Sequence, residues 1–103
     1  MPADVRQLRV EVVGDGRLEA STGITVGGQQ LVDTVVAALP WVVEAAVGGI
    51  GGPTAATPVQ VEVRPTGGAG TLECRIYAGG TLVSLVTADG PVTCAVTLPA
   101  RSG

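Results

Sequence analysis

Cys74 and Cys94 are the residues whose types and spacing can most directly do chemistry in this chain. Both sit on the apolar phase of alternating segments, "TLECRIYA" and "VTCAVTL", with one further segment between them. A disulfide joining the last strands is the natural pairing, and closing a loop of this size contributes about 3 kcal/mol in the chain-entropy account. That is a large share of the stability of a small domain. The alternative is a pair of reduced core thiols behaving as small hydrophobes. Two Cys without any His leave too few good ligands for a structural zinc, so no metal is expected. An oxidised pair would place the protein outside the reducing cytosol.

Other chemistries fail for want of a partner. With no His, Ser21, Ser84 and Ser102 have no imidazole base, and a cysteine nucleophile lacks one for the same reason. "GDGRLE" at 14–19 begins like a dinucleotide fingerprint, but Glu19 occupies the third glycine position and no crossover helix follows; a phosphate loop would need a Lys that the chain does not have. Glu11, Glu19, Glu62 and Glu73 fall on outward phases, where solvated strand faces are expected rather than an acid–base pair. The "GDG" and "ADG" pieces read as turns rather than calcium loops. No catalytic residue and no cofactor are expected. Trp41 and Tyr77, the two aromatic residues, read as packing residues.

The elements that must position these residues are legible from composition and period. A chain of 103 residues is one domain, expected over 1–103 with its core at about 5–98. Apolar content is 46% against 15% charge, and the mean hydropathy of +0.46 is high, so apolar surface must be buried in the fold or against a partner. The core is aliphatic and β-branched, and 16 Gly and 7 Pro punctuate it at short intervals, which favours many short strands. The net charge of -3, with six basic residues that are all Arg, offers no basic face for nucleic acid. No stretch reaches the roughly 20 apolar residues of a membrane span. Asp4, Arg6 and Arg9 stand where a signal peptide would be apolar.

Along the chain, "VRQLRVEVV" alternates with Leu8, Val10 and Val12 on one face, and "RLEASTGITV" alternates with Leu18, Ala20, Thr22 and Ile24 in phase. These two segments are expected to form a hairpin around "GDG", closed by Gly27-Gly28. The next stretch, through "VVAALPWVVEAAV", is ambiguous. Its apolar positions recur near a helical period, yet Pro40 and the β-branched Val positions argue for two strands meeting at a corner; a helix ending near Leu39 is the other reading. Residues 48–58 form an irregular connection. "VQVEVR", "TLECRIYA", "TLVSLVT" and "VTCAVTL" then follow as strands, giving seven or eight short strands at the spacing of an antiparallel sandwich.

The order of these pieces resembles the soluble domain of the mycobacterial membrane protein small family, MmpS. The shared pieces are Ile24-Thr25, Gln29-Gln30, the Leu39-Pro40-Trp41 corner, Cys74-Arg75-Ile76, Gly79-Gly80 and Cys94, covering the chain from about Val5 to Leu98. The resemblance implies an immunoglobulin-like β-sandwich, strands meeting at the Leu39-Pro40-Trp41 corner, and a Cys74–Cys94 bridge. It also implies a non-catalytic accessory role beside MmpL transporters of the resistance-nodulation-division (RND) class, exporters of lipids or siderophores, on the outer side of the actinobacterial plasma membrane. Contact with the pump or its cargo would use an exposed apolar face. Members of the family are held at the membrane by an N-terminal helix, so membrane attachment would come only through such an anchor. The rival reading is an assembly module, such as a decoration or tail component of an actinobacterial phage virion. An apolar-ligand carrier would need a cavity between the sheets.

Overall fold

The computed structural model describes residues 7–15, 19–47, 55–66 and 70–100. Eight antiparallel strands are found there: β1 (Gln7–Asp15), β2 (Glu19–Val26), β3 (Gln29–Ala38), β4 (Trp41–Ala46), β5 (Thr57–Pro65), β6 (Thr71–Ala78), β7 (Thr81–Ala88) and β8 (Val92–Leu98). They form two four-stranded sheets, ordered β4-β1-β6-β7 and β3-β2-β5-β8. This is a β-sandwich, with the two-sheet architecture of immunoglobulin-like domains and a strand order of its own. No helix among the described residues is long and apolar enough to cross a membrane.

Period-2 alternation builds the core. Leu8, Val10 and Val12 of β1, Ala20 and Ile24 of β2, Val59, Val61 and Val63 of β5, and Leu72, Cys74, Ile76 and Ala78 of β6 are buried between the sheets. These four strands are the inner ones of their sheets, so each has a ladder neighbour on both sides. The ambiguous stretch around Pro40 resolves as two strands: β3 pairs with β2, β4 pairs with β1, and the chain passes from one sheet to the other through a cis Leu39–Pro40 bond. Cys74 of β6 and Cys94 of β8 are joined by a disulfide with their Cα atoms 6.0 Å apart, and the bond therefore ties one sheet to the other.

One expected pairing is corrected. β1 and β2 do not form a hairpin, because β1 is flanked by β4 and β6 while β2 lies in the opposite sheet. Turn residues mark where a strand ends, and they do not say whether the next strand folds back beside it or crosses over. Gly27-Gly28 instead closes the β2–β3 hairpin, and Gly79-Gly80 closes β6–β7. Both glycines of each pair have positive φ (59° and 84°, 58° and 82°), the requirement of a two-residue type I′ turn matched to strand twist. The expected connection at 48–58 ends earlier, since Thr57 and Pro58 already belong to β5; residues 48–54, Leu18 and Gly16 of "GDG" lie outside the described residues.

The strand order hides a pseudo-twofold relation between β1–β4 and β5–β8. In the first unit β2 and β3 form the inner hairpin and β1 pairs with β4; in the second β6 and β7 form the hairpin and β5 pairs with β8. The units join by two matching seams. Leu8–Ala78 and Val12–Cys74 in β1·β6 correspond to Val59–Val26 and Val63–Thr22 in β5·β2. Both hairpins carry a register shift at the same place, next to Ile24 and next to Ile76. Even the extra turn bonds match, with Gly27 N–H donating to Pro58 C=O and Gly79 N–H donating to Gln7 C=O. The sequence carries the echo: Val10-Glu11-Val12 returns as Val61-Glu62-Val63, Ile24 as Ile76, Gly27-Gly28 as Gly79-Gly80 and Pro40 as Pro91, a repeat of roughly 50 residues.

Two outcomes follow for stability. Cys94→Ser should cost about 3 kcal/mol by the loop-closure estimate, read as a drop in Tm that reductant reproduces in the parent protein; equal melting with and without reductant would contradict this. Gly80→Val, forced into a left-handed backbone with φ of 82°, should cost about 1 to 2 kcal/mol although its Cβ would meet nothing within 4 Å. A variant melting with the parent would show the turn to be of another kind.

Candidate functional site

The outer face of the β4-β1-β6-β7 sheet gathers charge that the sequence scatters. β1 and β6 are central neighbours, and their register sets Glu11 beside Arg75 and Val13 beside Glu73. Arg9 Nη2 lies 2.7 Å from Glu11 Oε2, and Arg75 Nη1 lies 3.5 Å from Glu11 Oε1. Arg75 Nε donates to Glu73 Oε2 at 2.5 Å, and its Nη2 pairs with the same oxygen. Thr87 Oγ1 donates to Glu73 Oε1 at 3.5 Å from β7. The result is a chain of alternating signs, Arg9–Glu11–Arg75–Glu73, running across two strands. Its hydrogen bond to Glu73, opposed by desolvation, is the largest cause holding the Arg75 guanidinium above its ordinary value.

Apolar side chains frame this row. Along one ladder rung Val42, Glu11, Arg75 and Leu85 follow one another across all four strands. Val42 is 45% exposed and Leu85 53%, and Leu82 stands beside Tyr77 on the same side. An open depression of about 460 Å³ is lined by Val13, Gly14, Thr71, Glu73, Arg75 and Thr87. Arg and Tyr set among exposed aliphatic residues are the composition that protein contact surfaces favour. Both carboxylates are engaged by guanidinium groups, so neither stands as a free acid or base, and no group of three or more potential metal ligands occurs among the described residues.

The structure separates the residues singled out above. Cys74 and Cys94 are together in the interior. Leu39, Pro40 and Trp41 form the junction of β3 and β4, where the chain enters the edge strand of the sheet that carries the charged face, with Leu39 and Trp41 partly buried against the core. Tyr77 lies in the outer charged face. The Arg9–Glu11–Arg75–Glu73 row has no signature in the sequence, because outward phase alone reads as a solvated strand, and only the β1·β6 pairing brings the four residues together. The two halves also differ here: where one seam has Glu73 and Arg75, the corresponding positions of β2 are Ser21 and Gly23.

Inside, one polar atom stands alone. Thr22 is fully buried in β2, and its Oγ1 is the one buried side-chain N or O atom without a hydrogen-bond partner among the described residues. Comparison of the chain with protein-family models, with curated proteins and with solved structures finds no match to any of the three.

Arg75→Met should lower Tm at low ionic strength and lose that effect in high salt, since the exposed pairs it breaks are screened; a salt-independent loss would assign Arg75 a packing role instead. Thr22→Val, which exchanges an orphaned hydroxyl for a methyl of the same shape, should raise stability by about 1 kcal/mol, measured by chemical denaturation. A lower midpoint would mean that the hydroxyl has a partner in solution.

Proposed function

We propose that this chain is a non-catalytic contact domain working on the outer side of the plasma membrane, as an accessory of an RND-type transporter that exports lipids or siderophores. The observation that carries the reading is the cystine between the two sheets, a feature that persists in oxidising compartments. The exposed Val42, Leu82 and Leu85 around a balanced ion-pair row supply a surface suited to a protein partner. The MmpS-like order of Leu39-Pro40-Trp41, Cys74-Arg75-Ile76 and Cys94 supports a transporter of the MmpL kind as that partner.

A second reading, an assembly module of the virion kind, is favoured by β7. This edge strand, "TLVSLVTA", carries no charge and no Pro, the devices by which edges avoid pairing with other chains. Photo-crosslinking from position 85 in cells of an actinobacterial host should capture an RND transporter, identified by mass spectrometry. Recovery of nothing but copies of this chain in an ordered oligomer would overturn the transport reading and support assembly.

A further inference from the structure

The pseudo-twofold relation sets each edge strand against a counterpart: β3 answers to β7, and β4 to β8. β3 and β4 each carry an exposed carboxylate, Asp33 and Glu44, whereas β7 and β8 carry no charge at all. The register makes the exchange position by position. Asp33 and Thr34, between the partners of Ile24 and Thr22, give way to Leu85, between the partners of Ile76 and Cys74. Gln30, opposite Thr25, gives way to Leu82, opposite Tyr77. Glu44, opposite Arg9, gives way to Ala95, opposite Gln60. An edge strand points alternate N–H and C=O groups away from its sheet, and a charge on it is a device that keeps it from pairing with another chain. β7 lacks that device and holds three of the six large apolar side chains exposed among the described residues, Leu82, Val83 and Leu85. β7 and β8 lie against each other across the two sheets, so both uncharged edges open on one side of the sandwich.

We infer that the β7 side is a pairing surface for a second copy of this chain, with β7 running antiparallel to the partner's β7 about a twofold axis and continuing the β4-β1-β6-β7 sheet into eight strands. β7 is irregular between the partners of Ile76 and Tyr77 and regular from Ser84 to Ala88. The axis therefore passes at Val86, the middle of that run, and directly opposed residues share a face. Leu85 then meets the partner's Thr87 on the outer face, and Val86, partly buried at the rim of the core, meets the partner's Val86 on the inner one. Beneath them the two uncharged β8 edges are brought up facing each other. A free extended peptide would satisfy β7 alone, whereas a second copy matches both edges and sets no like charge opposite itself. The side is about 27 Å long and two sheets deep, on the order of 600 Å² per copy, which is near the lower bound of a stable interface and implies micromolar association. Pairing closes at two copies, because the outer edges of the pair are then β4 and β3 with Glu44 and Asp33. This surface is the strand edge rather than the outer face, and it stands whether or not the transport reading holds.

Sedimentation equilibrium of the full chain should show a reversible monomer–dimer equilibrium with nothing larger. Leu85→Lys changes an exposed side chain and sets two like charges beside the axis, so association should weaken about tenfold or more. Val42→Lys, on the same outer face but at the β4 edge, should leave association within about twofold, which separates the strand edge from the face proposed to meet a transporter. Amide hydrogen exchange of the parent protein gives a reading free of any substitution: residues 84–88 should exchange more slowly as protein concentration rises, and β3 and β4 should not. A chain that stays monomeric at millimolar concentration, association unmoved by Leu85→Lys, protection confined to β3 or β4, or oligomers that keep growing with concentration would overturn the pairing. Capture of a transporter from position 85 by a chain that is monomeric throughout would overturn the pairing and leave the transport reading standing.

Discussion

Close contact between two aliphatic sheet faces is the constraint on which the rest of this molecule depends. With no Phe anywhere in the chain, the interior is filled by Val, Leu, Ile and Ala, side chains that contribute individually modest burial and must therefore interdigitate over the whole area. Cys74–Cys94 secures that contact at one side, where β6 and β8 face each other from opposite sheets. Everything on the outer surfaces is placed by this interior. Glu11 and Arg75 meet because Val12 and Cys74, one residue behind them, are paired and buried.

Most of the fold was legible because the inner strands face the core on one side only and therefore alternate cleanly. "LRVEV", "VQVEVR" and "LECRIYA" each declare inward and outward phases that the burial pattern repeats. The edge strands were harder. β3 and β4 have a neighbour on one side only and mix apolar residues onto both faces, so Val36 and Val42 end up exposed, and a helical period could be read into them. The cystine was legible from matched phase and from the resemblance. Its role as a tie between sheets was not, since sequence order does not say on which sheet β8 lies.

The contact face was illegible for a related reason. An ion-pair row that spans β1 and β6 joins residues far apart in the chain, and its existence depends on register, which is fixed by the buried phase and not by the charges themselves. The repeat between the halves is similarly masked. Few residues are shared beyond Val-Glu-Val, the Gly-Gly turns and the isoleucine before each, because the sandwich asks only for alternation, twist and a turn of the right hand. Two copies can then differ in sequence while keeping the same ladder, as where Thr22 and Val43 stand at the places that Cys74 and Cys94 hold in the other half.

The matched seams bear on the order in which the chain is threaded. Because β5 stands to β8 as β1 stands to β4, the step from the end of β4 to the start of β5 has the same geometric demand as a step from the end of β8 back to the start of β1. The ladder is thus indifferent to which half is synthesised first. A circularly permuted chain that opens between β4 and β5 and joins Leu98 to Gln7 would meet the same pairing rules, with its cystine moved from the trailing half to the leading one.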